Sequence, residues 1–295
     1  MAELVGAIVA RDGGALLREA LADLIAACGA DNVLVVDNAS TDGATDDLPV
    51  AVLRQPRNLG YAGGANVALD WAAQRGATGL LLLNQDARLE ENAVRLMSAH
   101  LQNDANTGAV FAKVVRRDRP YLLDGLAGRR NLRHKLTTAL GSGTLARPVS
   151  PWPRTVHHGH GAALLLRVDA ARAVGGFDPA LVAYHDEVDL CWRLARAHRT
   201  IMLEPRAVVR HVGQEDDPAR QRAKAYLLAR NSMIVAAKNA GRLGLARVAV
   251  WAALATLLYY GPTALTGDEQ SRAFVRGWLD GLRGRPVAQA VWDTL

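Results

Sequence analysis

The side chains able to do chemistry sit in short polar runs that directly follow apolar ones. Asp37-Asn38-Ala39-Ser40-Thr41-Asp42 follows the apolar run 33–36, and its short polar side chains take turn conformations and offer acceptors to a base or ribose. Arg57-Asn58-Leu59-Gly60-Tyr61-Ala62-Gly63-Gly64-Ala65-Asn66 follows the apolar residues 51–53. Its glycines permit close backbone approach, and the helix expected after them presents its N-terminus to an anion. The run lacks the lysine of a P-loop and the G-x-G-x-x-G spacing of a dinucleotide fingerprint. Residues 80–83 lead into Asn84-Gln85-Asp86, where one carboxylate at the mouth of a buried strand is a natural ligand for a hard cation such as Mg or Mn, which shares its oxygen donors with substrate phosphates. His157, His158 and His160 form a separate cluster, with His158 and His160 on one side if extended, read as adventitious or as lying near an acceptor rather than as a metal site.

An α/β sheet must position these groups. Residues 4–10, 33–36, 51–53 and 80–83 read as strands, and 33–36 is continuous rather than alternating, as expected of a strand covered on both faces. Helical spacing recurs over 15–25, 65–74 and 90–101, so the order is that of crossover units. Ligands in such a sheet bind outside the carboxyl ends of the strands, which is where the polar runs lie. Residues 113–154 read as a long loop region with one short helix around 132–140, because glycines, prolines and arginines break any periodicity. Order returns with strands at 162–167, 201–203 and 207–209 and helices at 170–174 and 187–197.

Length and charge narrow the class. The chain has 295 residues, half of them hydrophobic, and two distant cysteines, Cys28 and Cys191, which excludes a disulfide framework and a cysteine zinc site and fits a reducing compartment. Residues 1–11 carry an acidic residue before a short apolar run and no basic region, so no secretory signal is expected. The net charge of +6 is uneven: residues 113–154 hold ten basic and two acidic side chains, and residues 219–295 hold eleven and four. Two basic segments on an otherwise acidic body point to an anionic partner. Nucleic acid is not expected, because the basic runs lack interleaved aromatics.

From residue 219 onward the pattern is helical only. Residues 248–265 carry no charge, and Gly261 and Pro262 interrupt the end of the run, which predicts a membrane-associated or buried helix rather than a span. Phe274, Trp278 and Leu282 share one helical face, with Arg272, Arg276 and Arg283 elsewhere around it, as in an interfacial amphipathic helix.

Five blocks in order resemble a family 2 glycosyltransferase with the GT-A fold, nearest to the bacterial rhamnosyltransferase-like branch. They are residues 35–42, 58–66, 82–86, Gly175-Gly176-Phe177-Asp178 and Tyr184-His185-Asp186-Glu187-Val188-Asp189-Leu190-Cys191-Trp192-Arg193. The resemblance spans roughly residues 4–239. It implies a mostly parallel central sheet flanked by helices, with a GT-A domain over 1–218, divided into a nucleotide-sugar-binding half (1–112), a basic variable region (113–156) and an acceptor half (157–218), followed by a helical region, 219–295.

By the same resemblance Asp37, with Asn38, Ser40 and Asp42, contacts the nucleobase or ribose. Asn58, Gly60, Tyr61, Gly63, Gly64 and Asn66 line the nucleotide-sugar pocket. Asn84 and Asp86 meet the sugar diphosphate, with Asp86 and His211 holding Mn or Mg. The segment Asn84-Gln85-Asp86 stands where the family carries a two-aspartate motif, and Gln85 replaces the branch's frequent proline. Asp186-Glu187 reverses the family's acidic pair; position favours Glu187 as the base that deprotonates the acceptor hydroxyl, with Asp186 the alternative. Gly161, Trp192 and Arg193 fall on the acceptor side. The implied reaction is inverting transfer of rhamnose or another hexose, and the two basic segments with the apolar C-terminal helices point to a cell-envelope glycan or lipid-linked acceptor and to an enzyme peripheral on the cytoplasmic face of an anionic membrane. A nucleotide-sugar-binding protein without transfer activity and a sugar nucleotidyltransferase are the competing readings, and oligomeric state stays open.

Overall fold

The computed structural model describes residues 4–130, 136–146, 150–213, 217–292 and 294. In chain order the elements are β1 (Leu4–Ala10), α1 (Gly14–Cys28), β2 (Val33–Asp37), β3 (Ala51–Arg54), α2 (Gly60–Gln74), β4 (Gly79–Leu83), β5 (Ala87–Leu89), α3 (Ala93–Asn103) and β6 (Thr107–Arg116). Then come β7 (Leu123–Gly125), β8 (Ala127–Arg130), β9 (Thr137–Leu140), β10 (Arg154–Thr155), β11 (His158–Gly159), β12 (Ala163–Arg167), α4 (Val168–Ala173), α5 (Asp186–Arg196) and β13 (Thr200–His211). The helices α6 (Pro218–Asn239), α7 (Gly241–Ala255), α8 (Gly261–Leu265), α9 (Glu269–Leu282) and α10 (Gln289–Trp292) follow.

The main sheet runs β10-β13-β6-β12-β4-β1-β2-β3. The strands β3, β2, β1 and β4 are parallel neighbours, β12 runs antiparallel between β4 and β6, and β13 lies parallel to β6. The sheet is therefore mixed and mostly parallel. Side chains alternate across it, as period two demands. Val5, Ala7, Leu34, Val36, Leu80 and Leu82 pack with α2, α4 and α5, while Ile8, Ala10, Val33, Val35, Leu81 and Leu83 pack with α1 and α3. The apolar runs at β2, β4 and β12 are thus strands buried on both faces, whereas β3, at the edge of the sheet, is largely exposed.

Three expectations need correction. Residues 113–154 are not a long loop: they contain the end of β6, the strands β7, β8 and β9, and the start of β10. The arginines that broke the periodicity are one-sided, since β6 buries Val114 and Val115 while Lys113 and Arg116 stay half-buried. The helix expected around 132–140 is replaced at 137–140 by β9, which pairs with β8, and residues 131–135 lie outside the described residues. Finally, 201–203 and 207–209 are one strand, β13, carrying an irregularity between Glu204 and Val208. Glu204 is buried there against Arg206 and His100.

α6 is bound into the sheet domain through polar side chains. The buried Asn231 amide donates to the carbonyls of Leu181, Ala183 and Tyr184, and Arg230 to that of Ala180. α9 lies close on α6: a Cβ on Gly277 or Gly281 would collide with the backbone oxygens of Tyr226 and Arg230. α7 continues through a π-helical turn, Thr256–Tyr260, into α8. Gly241–Leu265 is the one helical stretch among the described residues long and apolar enough to cross a membrane. It is mostly uncovered, with Leu257, Tyr259 and Leu265 at 71%, 75% and 86% exposure.

Candidate active site

The carboxyl ends of β1, β2, β3 and β4 are laced together by the polar residues that follow them. Asp37 closes β2 with its carboxylate buried; Oδ1 accepts from the Ser40 N–H at 2.8 Å, and Oδ2 accepts from the Thr45 hydroxyl at 2.7 Å and the Arg54 guanidinium at 3.1 Å. Burial works against its ionisation, but these donors together outweigh it and hold the carboxyl below its ordinary range. Ser40 Oγ accepts from the Asp12 N–H and Asp42 Oδ2 from the Gly14 N–H, so both tie the loop after β2 to the loop after β1. The Gln85 side chain makes a two-way bond with the Arg11 backbone, joining β4 to β1 in the same way.

The glycine-rich loop is fixed by close approach. Asn38 donates to Asn58 and to the Gly60 carbonyl and accepts from the Leu59 N–H. Gly60 has φ +70° and faces Val182, whose carbonyl oxygen would lie 2.7 Å from any Cβ there. α2 begins at this glycine, five residues before the predicted start at 65. Gly64 lets α2 sit against Val9 of β1, and a Cβ on Gly63 would meet Leu59. The Asn66 amide donates to the Phe177 carbonyl and accepts from the Phe177 N–H, pinning the Gly175-Gly176-Phe177-Asp178 turn to α2 across 111 residues. Tyr61 packs edge-on against Phe177.

Beyond β4 the carboxylate Asp86 meets His211 at the end of β13. Asp86 Oδ1 lies 3.2 Å from His211 Nε2, and Asn84 Nδ2 lies 3.4 Å from the same nitrogen. The ring's other nitrogen, Nδ1, lies 2.7 Å from Asp124 Oδ2, and His160 Nε2 approaches that oxygen at 3.5 Å. Burial alone would lower the His211 pKa, but the two carboxylates raise it to about 9. Burial and the neighbouring His211 push His160 down to about 4, leaving its ring neutral. Asp86 and Asp124 are held below the carboxylate range, the histidine outweighing their burial.

Ligand atoms of Asp124, His160 and His211 all lie within 4.8 Å of one another, with Asp86 against His211. Two carboxylates and two imidazoles fit a divalent cation that takes mixed oxygen and nitrogen donors. The structure parts the histidine cluster: His160 faces Asp124, His157 accepts from the Arg130 N–H, and His158 is buried beside Gly128. Asp124, on the short strand β7, was not among the predicted residues. Its one sequence signal is that it is an acid among ten basic residues.

The acidic pair opens α5. Asp186 is 3% exposed and Glu187 half-buried. Burial, and then repulsion from neighbouring carboxylates, raises both well above the usual carboxylate range. Tyr61 lies close enough to feel both charges, which places the glycine-rich loop beside the pair. Three non-glycine residues just before α5, Val182, Tyr184 and His185, have φ of 65°, 64° and 62°, a left-handed backbone concentrated at this one turn. Asn231 holds its carbonyls, and Ser232 Oγ lies 3.2 Å from His185 Nε2.

Arg193 is paired with Asp189 and bonded to the Val174 carbonyl, and Trp192 is buried against Leu181, Val188 and Met233 with Arg130 over its ring. Both are packing groups of α5. Gly161 follows His160 in open space.

The chain is similar to several known glycosyltransferases. A segment of 76 residues, 26% of the chain, is 42% identical to the pre-mycofactocin glycosyltransferase of Mycobacterium tuberculosis, and it spans only 16% of that relative. Among solved structures, GalNAc-T7 with UDP, GalNAc and Mn2+ superposes with a TM-score of 0.65 at 13% identity, over 96% of this chain and 56% of that one. The mannosyltransferase PcManGT of Pyrobaculum calidifontis, in complex with GDP-Man and Mn2+, gives 0.54 at 16% identity, over 100% and 88%. S. aureus TarS with UDP-GlcNAc gives 0.57 at 12%, over 95% and 81%. These likenesses show the GT-A fold. The model of glycosyl transferase family 2 matches residues 7–174, more than half of the chain, and the protein belongs to that family.

Proposed function

We propose that the chain transfers a hexose, rhamnose or another, from a nucleoside diphosphate sugar to a hydroxyl of a cell-envelope glycan or lipid-linked acceptor, with inversion at the anomeric carbon. The observation that carries this reading is the convergence of Asp86, His211, Asp124 and His160 at the end of β4, on the same sheet edge as the donor-loop residues. A divalent cation, Mn or Mg, would be held by Asp86 and His211 and would stabilise negative charge on the departing diphosphate. The acceptor oxygen attacks the anomeric carbon as the bond from that carbon to the phosphate oxygen breaks, its electron pair leaving with the nucleoside diphosphate. Glu187 takes the acceptor proton, or Asp186 does; a raised pKa suits a carboxylate that must accept a proton near neutrality. Asp37, Asn38 and the loop 58–66 form the wall for the nucleoside, with Ser40, Asp42 and Asn66 holding that wall through their own backbone partners.

The enzyme is proposed to work as a peripheral protein on the cytoplasmic face of an anionic membrane. Its uncovered apolar face on Gly241–Leu265 supports this, together with Arg242 and Arg247 on the same helical stretch, Arg272 and Arg276 on the neighbouring α9, and Arg283 just after it. The discriminating experiment is transfer by the Asp86→Ala, Glu187→Gln and Asp186→Asn variants, each checked for a native melting transition. Loss of transfer in Asp86→Ala and in one of the two acid variants is expected; full activity in Asp86→Ala contradicts the assigned role.

A further inference from the structure

A cavity of about 610 Å³ opens at the carboxyl ends of β1 and β3. Arg11, after β1, and Arg57 and Asn58, after β3, line it together with Trp292 of α10. Segment 287–292 is a long way from these loops in sequence and is held there from behind. Val287, Val291 and Trp292 pack against Val182, Tyr226 and Leu227. None of the residues attributed to donor binding lies in this segment.

Three features of the cavity await a ligand. The Asn58 Nδ2 donor is buried and has no acceptor, an arrangement that costs on the order of 1–3 kcal/mol unless something fills it. Arg57 is exposed and has no carboxylate partner among the described residues, while Arg11 has Asp12 at 3.7 Å. Trp292 contributes a large flat aromatic group to the same lining. A hydrogen-bond donor, cations and an indole around one space suit a planar heterocycle carrying carbonyl oxygens.

The sheet order fixes which part of a nucleotide lies here. β3, β2, β1 and β4 are successive neighbours, so the loops after β3 and β4 are three strand spacings apart, roughly 14 Å at about 4.8 Å each. That is the reach of a nucleoside diphosphate laid along the strand ends with its phosphates at Asp86. We propose that Trp292 closes the nucleoside end of the donor pocket, stacking on the base while the Asn58 amide donates to a base or ribose oxygen. The inference rests on the donor reading above and adds to it a binding wall supplied by the helical region, outside the sheet domain.

The test is calorimetric titration of UDP, dTDP and GDP, and separately of inorganic pyrophosphate, into the full chain with Mn2+ present. Wild type is compared with Trp292→Ala, Trp292→Phe and the exposed-site variant Arg57→Gln. The expected result is one nucleoside diphosphate whose affinity falls about tenfold in Trp292→Ala, the size of a base–aromatic stacking contribution, and recovers in Trp292→Phe. Arg57→Gln weakens the same nucleotide several-fold, and pyrophosphate, which has no base, binds all four proteins alike. Nucleotide affinity unchanged in Trp292→Ala and Arg57→Gln overturns the inference while leaving the donor reading intact. Equal losses for nucleotide and pyrophosphate overturn it as well, since the segment then only supports the fold. Failure of the wild type to bind any nucleoside diphosphate overturns the donor reading itself.

Discussion

One imidazole bridges two carboxylates: His211 Nδ1 lies 2.7 Å from Asp124, and its Nε2 lies 3.2 Å from Asp86. The Asp124 bond fixes the ring so that Nε2 faces the Asp86 side, the arrangement by which carboxylates orient metal-bound histidines. Replacing Asp124 by Ala is expected to weaken Mn2+ binding about 10- to 100-fold. Mn2+ titration followed by electron paramagnetic resonance measures this, and an affinity equal to wild type removes Asp124 from the centre.

The acidic pair makes activity and stability depend on pH in opposite senses. A base whose pKa is raised works only when deprotonated, so turnover at saturating donor rises as pH climbs through the raised value. For stability, the folded state holds protons that the unfolded chain releases, so stability from this pair is complete below the ordinary carboxylate pKa. It is lost as pH rises through the raised folded values. Glu187→Gln should therefore lower turnover by about 10²-fold or more with donor affinity nearly unchanged, while raising the melting temperature at alkaline pH relative to wild type. A Glu187→Gln variant as active as wild type transfers the base role to Asp186.

Asn66 spends its whole amide on the Phe177 backbone. Asn66→Ala leaves that buried N–H and carbonyl unpaired, with an expected loss of about 1–3 kcal/mol in urea unfolding. Unchanged stability would return Asn66 to a direct role in donor binding.

Gly60 has two constraints at once, a left-handed backbone and the Val182 carbonyl against its missing side chain. Gly60→Ala is expected to destabilise by more than about 1 kcal/mol and to weaken donor binding, because the loop carrying Asn58 and Tyr61 must move. Denaturant unfolding and nucleotide titration on the same sample check both effects.

The apolar face of Gly241–Leu265 predicts binding to vesicles containing anionic lipid. Leu257→Ser with Leu258→Ser is expected to reduce vesicle co-sedimentation without changing the melting transition, since both side chains are 71% exposed. Binding should also weaken as salt is raised, the electrostatic part being screened. Equal co-sedimentation of the double variant and wild type would contradict the membrane role of this face.

The parts of the site that could be read from sequence are those fixed locally. Asp37, Asp86 and the glycine-rich loop each directly follow an apolar strand, and Asp186-Glu187 open a helix, so type and position in the fold coincide. What could not be read depends on partners far away in the chain. Ser40 and Asp42 are legible as polar turn residues, but their bonds to Asp12 and Gly14, 28 residues earlier, are not. Asp124 escaped because β7 has three residues and owes its existence to pairing with β6, a tertiary effect that leaves no periodicity. Trp292 escaped for the same reason: nothing in a short apolar tail says which loops it will meet.

The central claim is a donor site built on Asp86, and the most direct measurement is thermal stability of wild type and Asp86→Ala with UDP, dTDP and GDP sugars, each with and without Mn2+. A ligand that binds only the folded state raises its melting temperature. The account predicts a clear rise for the sugars of one nucleotide with Mn2+ present, a smaller rise without it, and no Mn2+-dependent part in Asp86→Ala. No shift with any nucleotide sugar, or a shift in Asp86→Ala as large and as metal-dependent as in wild type, would contradict it.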